Sequence, residues 1–538
     1  MSEDPQKLQL YSVLNRQWKS LSKSLLGDEM GELDDYKEWL YGRNGPRLVK
    51  SSVSGKDVVL AYSPFGGNSE FISLEEVDWN KSYIPLSIND IKDIDSIVEA
   101  IRNRAVYCGN IIFGNSGFVE ESTNITDSQY VLHSERVAYS KYVAYSSRGG
   151  YSEVVFGCYG FGPARFCIKA NSWEVSRVFC SSKIEFSSDI YLSHGLSGCH
   201  DCMFCFNLKS KRLAIGNLVL PKDKYLQIKK KLMEEIRQEL IRNKYLSPID
   251  EMVCAEKPDY SFLKKSISGR NWEDEKKDMG PIEKAFSETA LVILGKPLRQ
   301  IDSYSDWLEK NSAVKLEQCF SCASGKQIPL LPDYVPFISF PRDRLITQDE
   351  ADFLGERMTL SEGEVESLSF KNIPKKLSKI AYFCPFWLSG KLKNNIDSPM
   401  CIDSVDCYRG LIFMRSKKCA FCFSPTSCEN SFGCREPRDS SFCINCHFST
   451  KISRCLEVDN STNCSGCYFC HNCDNVHDSM FCFNTKNKRY AIGNVEVGRE
   501  KFMQAKEILL DWGLKRLEKN CDLGVDVFTI ADWKEENR

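Results

Sequence analysis

The cysteines of the C-terminal half follow a strict three-residue period. Fourteen of them lie between Cys401 and Cys482, and all occupy the same position of that period. An extended strand alternates its faces every two residues and a helix repeats about every 3.6, so neither explains the pattern. Stacked coils of short strands do explain it, because each corner resets the alternation and equivalent side chains form columns. The pattern therefore predicts a β-solenoid over residues 378–495.

Cysteine suits the interior of such a solenoid, because it is small and packs like an apolar side chain. Serines take the same position of the period at several places, among them Ser440, Ser449, Ser461 and Ser479. The N-terminal half shows a related six-residue rhythm in the consecutive segments VSRVFC, SSKIEF and SSDIYL. We therefore predict a second β-solenoid over residues 105–218.

The two halves also share sequence. HDCMFCFNLKSKRLAIGN begins at His200 and HDSMFCFNTKNKRYAIGN at His477, with 14 of 18 positions identical at an offset of 277. His194 and His471 have the same offset, and LDDYKEWL in the first half matches IDSYSDWL in the second. Such self-similarity over nearly the whole chain predicts a tandem duplication.

Helices are predicted before and after each solenoid in the sequence. Leu14, Trp18, Leu21 and Leu25 form an apolar stripe at helical spacing near the N-terminus. Pro221 precedes a helix whose apolar face is formed by Tyr225, Ile228, Leu232 and Ile236, and Phe502, Ala505, Leu509 and Trp512 form the equivalent face in the second half. A cap of this kind would cover an exposed sheet edge. The predicted fold is α+β: two tandem β-solenoid modules, each with N-terminal helices and a C-terminal capping helix.

The predicted domain boundaries follow from these elements. They are 1–104, a helical and mixed region; 105–250, the first β-solenoid with its capping helix; 251–280, a charged linker; 281–377, a second helical and mixed region with a CxxC pair; 378–515, the cysteine-rich β-solenoid with its capping helix; and 516–538, a C-terminal tail.

Composition limits the classes of partner. The chain has 538 residues, 26 cysteines and a formal net charge of -2, so its overall charge does not indicate binding to nucleic acid or to an anionic membrane. The first residues, MSEDPQKLQL, do not resemble a signal peptide. We therefore expect a cytoplasmic protein with reduced thiols and no membrane span. The sequence leaves the oligomeric state open.

Several segments resemble a known group of proteins. CINCHFSTKISRC, CSGCYFCHNC and MFCFNTKNKRYAIGN, together with CFSCASGKQIPLLPDYVPF from Cys319, are similar to segments of uncharacterised cysteine-rich proteins from candidate-phylum bacteria and archaea. Those proteins often carry a CaiB/BaiF-type CoA-transferase label. The resemblance covers mainly residues 315–515, and residues 150–240 more weakly. This chain differs from the group by carrying the module twice.

Two cysteine groups are candidate metal ligands. Cys464, Cys467, Cys470 and Cys473 have spacing found in zinc and iron–sulfur sites, although they also continue the register of ten other cysteines. A structural column of thiols is the alternative interpretation. The second candidate is the CxxC pair Cys319 and Cys322, which aligns with Val49 and Ser52 of the first half. Two buried thiols without zinc explain that pair equally well.

The duplicated motif supplies candidate binding residues with a basic rim. In the first half they are His194, His200, Asp201, Lys211 and Arg212, and in the second half His471, His477, Asp478, Lys488 and Arg489. One interpretation is a site for a phosphate or carboxylate, in which the two histidines of each half stack in one surface column. The other is a structural cap with solvated basic side chains.

These observations favour a non-enzymatic cytosolic scaffold or binding protein that presents solenoid surfaces to a protein or another macromolecule. The first alternative is a zinc or iron–sulfur metalloprotein. The second is an enzyme of the solenoid acyltransferase kind, with His471 or His477 as the base. The sequence contains no P-loop, no G-x-G-x-x-G and no G-x-S-x-G motif, so it leaves open whether the protein is an enzyme.

Overall fold

A computed structural model describes residues 5–42, 46–61, 64–87, 91–270, 272, 277–312, 314–332, 335–426 and 428–533. It combines α-helices with β-strands, most of which are parallel. The helices are α1 Pro5–Leu26, α2 Lys37–Tyr41, α3 Ile94–Ile101, α4 Lys222–Asn243, α5 Ile249–Cys254, α6 Tyr260–Ser266, α7 Gly280–Leu294, α8 Ser305–Glu309, α9 Gln348–Gly355, α10 Glu362–Glu366, α11 Ile373–Leu377 and α12 Arg499–Asn520.

The strands form two long arrays and several short pairs. Those of the first half are β1 Arg47–Lys50, β2 Asp57–Leu60, β3 Glu70–Ser73, β4 Val106–Gly109, β5 Ile112–Phe113, β6 Gly117–Glu120, β7 Thr123–Thr126, β8 Gln129–Leu132, β9 Glu135–Ala138, β10 Lys141–Ala144, β11 Ser147–Gly150, β12 Glu153–Phe156, β13 Tyr159–Phe161, β14 Ala164–Trp173, β15 Val175–Glu185, β16 Ser188–Tyr191, β17 His194–Ser197, β18 His200–Met203, β19 Arg212–Ile215 and β20 Leu218–Val219. Those of the second half are β21 Glu317–Phe320, β22 Gln327–Leu330, β23 Trp387–Ser389, β24 Met400–Ile402, β25 Val405–Tyr408, β26 Phe413–Met414, β27 Lys417–Ala420, β28 Glu429–Phe432, β29 Ser441–Ile444, β30 Ser453–Asp459, β31 Tyr468–His477, β32 Phe483–Arg489, β33 Ala491–Ile492 and β34 Val495–Glu496.

Most parallel neighbours in both arrays are 12 residues apart. Lys141 pairs with Glu153 in the first array, and Lys417 pairs with Glu429 in the second. In the first array β8 pairs with β10 and β9 with β11, so consecutive strands belong to different rows. The chain therefore returns to the same row after 12 residues, and residues six apart lie in different rows.

The backbone turns at every third residue. From Asn430 to Gly493 each third residue has a positive φ, and the same holds from Phe118 to Gly160 and from Glu174 to Gly216. Each 12-residue repeat therefore contains four left-handed residues, and the residue after each of them carries the inward side chain. This backbone is the physical origin of the three-residue period of the cysteines.

The inward thiols satisfy backbone carbonyls. Cys419 donates to the carbonyl of Lys417 at 3.1 Å and Cys464 to that of Thr462 at 3.1 Å, and the same bond to the residue two positions earlier recurs along the column. Ser134 makes the equivalent bond to Leu132 at 2.8 Å in the first array. All 14 cysteines from Cys401 to Cys482 are buried and free, which confirms the predicted column of buried, unbridged thiols.

Helices cover both arrays where the sequence predicts them. α1 packs on β6, β8, β10 and β12 with its predicted stripe buried, and α7 packs on β25 and on β27–β30. α4 begins directly after Pro221 and contacts β19 near the end of the first array. α12 occupies the equivalent position in the chain.

The segments predicted as linker and tail contain ordered structure. Residues 251–280 include α6 and part of α5, while residues 271 and 273–276 lie outside the described residues. α12 extends to Asn520, and the following side chains of Leu523, Val527, Phe528 and Trp533 are buried. Residues 521–533 thus belong to the core, and residues 534–538 lie outside the described part. Within that part, no helix is both long enough and apolar enough to cross a membrane.

Candidate functional site

The structure separates the duplicated motif into a buried contact and an exposed row. His471 is fully buried and His477 is half-buried, and they share no hydrogen-bond partner in the described chain. The expectation that the two histidines stack in one column is wrong, because residues six apart lie in different rows of the 12-residue repeat. The same separation applies to His194 and His200.

His471 binds a segment of the opposite half. The backbone N–H of Cys108 donates to Nε2 of His471 at 2.8 Å, and Nδ1 of His471 donates to Oδ2 of Asp459 at 2.7 Å. The edge of the Tyr107 ring packs against His471 and Phe483. Both ring nitrogens are therefore engaged within the core, so His471 does not have the exposure that a catalytic base requires.

Asn484 completes this contact. Its Nδ2 donates to the carbonyl of Val106 at 2.7 Å, so the polar side chains of the motif bond two backbone groups of β4, the Val106 carbonyl and the Cys108 N–H, on either side of Tyr107. β4 lies in the first half, whereas β31 and β32, which contact it, lie in the second.

His194 makes the reciprocal contact in the other direction. Nε2 of His194 lies 3.3 Å from the backbone N and 3.2 Å from the backbone O of Cys384, in the second half, and the Phe383 ring packs against His194 and Phe206. Asn207 donates to the carbonyl of Tyr382 at 2.9 Å. Each half therefore holds a segment of the other through equivalent residues. We call each of these two contacts a crossing: the first is at His194 and the second at His471.

The two crossings differ in charge. Stacked at 12-residue intervals in the second half are Arg435, His447, Asp459 and His471. In the first half Ser182 takes the position of Asp459 and hydrogen-bonds Nδ1 of His194 at 2.7 Å. Burial lowers the pKa of His194 to about 3 and that of His447 to about 3, and burial raises the pKa of Asp459 although His471 opposes that shift.

A small cavity of about 10 Å³ lies beside the second crossing, lined by Cys108, Thr123, Asn124, Asp459 and Asn460 among others. That volume is at the lower limit for one water molecule. Oδ1 of Asp459 is buried and has no hydrogen-bond partner among the described residues. The cavity is therefore a place for a buried water rather than for a substrate.

The exposed row has the same serine–histidine contact in both halves. Oγ of Ser188 hydrogen-bonds Nδ1 of His200 at 3.0 Å, and Oγ of Ser465 hydrogen-bonds Nδ1 of His477 at 2.8 Å. In register beside these histidines lie Arg212 and Arg489, both exposed. The half-buried residues Asp201, Lys211, Asp478 and Lys488 flank the row.

The structure adds residues that the sequence argument missed. Lys229 of α4 places its ammonium 4.2 Å from the Tyr191 ring centroid, and Lys506 of α12 lies 5.0 Å from that of Tyr468. Burial lowers the pKa of both lysines. The carboxylates of Asp201 and Asp478, which the lysines face respectively, oppose that lowering. Both pairs have the offset of 277 that identified the motif, so extending the alignment into the helices would have found them.

The candidate metal ligands have structural partners. Cys464, Cys467, Cys470 and Cys473 are buried, and each thiol donates to the carbonyl two residues before it. Within the described residues, no group of three or more His, Cys, Asp or Glu side chains is arranged to hold a metal ion.

Cys319 and Cys322 lie at a β-hairpin formed by β21 and β22. Both thiols are half-buried and free. The part of this hairpin that both halves share is the turn. In it, Ser324 Oγ accepts from the N–H of Lys326, and Gly325 has a φ of 77°. The equivalent turn at Ser54 and Gly55 has the same geometry, which explains why SGK is present in both halves while the cysteines are not.

Comparison with known proteins gives no match: no protein-family model, curated protein or solved structure is similar to the chain.

Proposed function

We propose that the chain consists of two β-solenoid modules related by tandem duplication. The pairing interval of 12 residues, the left-handed residue at every third position and the inward thiols support a solenoid in each half. The reciprocal contacts of His194 and His471 support the duplication, because they join equivalent residues in opposite directions. The resemblance of residues 315–515 to the CaiB/BaiF-labelled cysteine-rich proteins remains a proposal of the same kind.

We further propose that the protein is a non-enzymatic binding protein, or scaffold, with two equivalent surface sites for a macromolecular partner. The observation that carries this proposal is the exposed row. Its serine–histidine pair, its arginine and the lysine on the capping helix are present in both halves with equivalent contacts.

The interiors of the two arrays differ more than the exposed row does. The second array contains a cysteine column where the first has mostly serines and aliphatic residues. Asp459 of the second half corresponds in sequence to Ser182 of the first. A surface that needed only to be soluble would have diverged at least as far as the interior. Retention of the row therefore favours a role in recognition in both halves.

The test is capture of the partner with charge-reversal variants in each half. Tagged protein is produced in its native cells as wild type, Arg212→Glu, Arg489→Glu and the double variant, with Lys230→Glu, an exposed lysine of α4, as the control. Because two linked sites bind with avidity, we expect the double variant to lose at least ten times more bound partner than either single variant. Equal recovery with the double variant and the control would reject the proposal.

A further inference from the structure

Charged side chains alternate along the surface between the first array and its capping helix. Arg177 holds Asp189 with two hydrogen bonds of 2.6 Å, from Nε and Nη2. Lys229 is next, and the carboxylates of Asp189 and Asp201 both act on its pKa. Arg212 follows, with Nε 3.5 Å from Oδ2 of Asp201. The order is therefore cation, anion, cation, anion, cation.

The second half repeats this series with one member changed. Arg454, Lys506, Asp478 and Arg489 occupy the equivalent positions, but Gly466 stands where the first half has Asp189. The three cations therefore face one carboxylate in the second half and two in the first. Arg454 is exposed, and it makes no salt bridge within the described part of the chain.

The backbone at this position is the same in both halves. Gly466 has a φ of 63° and Asp189 a φ of 58°, so an aspartate could adopt the conformation of Gly466. A Cβ on Gly466 would lie 2.7 Å from Oδ1 of Asp478, which is the end of a flexible side chain. The main structural difference is therefore the absence of one carboxylate between two cations.

We propose that Arg454 and Lys506 bind an oxyanion, a carboxylate or a phosphate group, in the place that the Asp189 carboxylate occupies in the first half. This inference rests on the proposed binding function and names the chemistry that the second of its two sites recognises.

The two cations offer complementary contacts. The guanidinium of Arg454 can donate two parallel hydrogen bonds to one oxyanion, as Arg177 does to Asp189. The ammonium of Lys506 is held over the Tyr468 ring and is half-buried, so it is positioned before the ligand arrives. Burial and the charge of Arg454 lower the pKa of Lys506, and a bound anion would oppose both effects.

The experiment uses the intact protein and two small probes at low ionic strength, where exposed charges are least screened. Inorganic phosphate is followed by phosphorus NMR line broadening, and acetate by saturation-transfer proton NMR. We expect binding with a Kd on the order of 1 mM. Phosphate should bind more tightly than acetate, because it carries more charge.

Two reciprocal variants test the position. Gly466→Asp restores the carboxylate of the first half and should weaken anion binding at least tenfold. Asp189→Gly frees Arg177 and should add a second binding site. Gly198→Asp is the control, because it adds a carboxylate at another left-handed position with room for a side chain. Thermal unfolding of each variant verifies that it is folded.

The outcomes separate this proposal from the proposed function. Absence of phosphate and acetate binding, or undiminished binding by Gly466→Asp, would overturn it even if a macromolecular partner were found. Loss in Gly466→Asp without a gain in Asp189→Gly would support a site in the second half alone. Binding of acetate alone would assign a carboxylate ligand.

Discussion

A histidine accepts a hydrogen bond from a backbone N–H only while the accepting nitrogen is unprotonated. His471 acts in this way for Cys108, and Nε2 of His194 lies within hydrogen-bond distance of the Cys384 backbone. A third buried histidine, His447, packs against Phe528, and neither of its ring nitrogens has a hydrogen-bond partner among the described residues. Burial lowers the pKa of His194 and of His447, so both are neutral in the folded core.

Acid should consequently destabilise the protein. The pKa values of His194 and His447 are about 3 in the folded state, against about 6.5 in an unfolded chain. Between these values the unfolded state binds protons that the folded state does not, so stability falls as the pH falls below about 6.5. The loss should reach roughly 2 kcal/mol for each histidine at pH 5.

Urea unfolding at about pH 7.5 and pH 5 measures this effect. His447→Phe keeps an aromatic ring and removes the titrating group that faces Arg435 and Asp459, so this variant should lose less stability on acidification than the wild type. His200→Gln, at an exposed site, should behave as the wild type does. An unchanged pH dependence in His447→Phe would contradict the prediction.

The two crossing histidines should differ in their contribution to stability. His194→Phe leaves the Cys384 backbone and the neutral Ser182 hydroxyl without their partner, which should cost about 1–3 kcal/mol. His471→Phe removes the acceptor for Cys108 and also the hydrogen-bond donor to the buried Asp459 carboxylate, so its cost should be larger, because an unsatisfied buried carboxylate costs more than an unsatisfied hydroxyl. Urea unfolding of the two variants at neutral pH gives the comparison, and a larger loss in His194→Phe would contradict it.

At the scale of the element, the repeat is built on a backbone requirement. Each left-handed turn directs a carbonyl toward the interior, and a short inward side chain with a donor satisfies it. Serine and cysteine both meet this need, whereas valine meets only the requirement for volume. The cysteines are therefore explained by packing and hydrogen bonding together, without a metal.

Thiol reactivity should follow from this packing. Cys254 is exposed, and Cys319, Cys322 and Cys521 are half-buried, while the remaining cysteines are buried. Burial raises the pKa of inward thiols such as Cys428, whose pKa it raises to about 12, and the thiolate is the reactive form. Under native conditions at most four thiols should react quickly with a thiol reagent. In denaturant without reductant all 26 should react, and a large deficit would instead indicate disulfides.

The sequence predicted the extent of the strand arrays well but not their geometry. The cysteine period indicated stacked coils because one inward residue type recurs in 14 places. The left-handed positions had no such signal, because residues as different as Lys418, Glu457 and Phe469 occupy them. Without those positions the period could not be converted into a 12-residue repeat, and His471 and His477 were placed in one column instead of two.

At the scale of the whole molecule, the two halves share their hydrophobic cores. One core combines α1 and α4 of the first half with Ile346–Cys384 segments of the second, and another combines α3 and Tyr107 with α7 and α12. A buried salt-bridge cluster joins Glu436 to Arg136 and Arg148 at 3.0 and 2.8 Å. The sequence could not predict this exchange, because a duplication indicates two similar units and does not indicate which unit each segment packs on.

The halves should therefore remain together when the connection between them is cut. A protease recognition sequence inserted between Arg270 and Lys277 allows cleavage of the folded full-length protein. Because both cores contain residues of both halves, the two fragments should co-elute as one particle in gel filtration and separate only in denaturant. The uncut protein is the control, and fragments that separate in native buffer would contradict the exchange.

The second crossing also sets an order of events during synthesis. The strand Val106–Gly109 leaves the ribosome early, but its partner His471 follows 363 residues later than Cys108. At about 5–20 residues per second this delay lasts roughly 20–70 s, during which Tyr107 can pack on Phe65 and Phe71 of its own half but not on His471 or Phe483. Part of this apolar segment therefore lacks its native cover through most of translation, and a chaperone that recognises such segments would act on the N-terminal half before the C-terminal half exists.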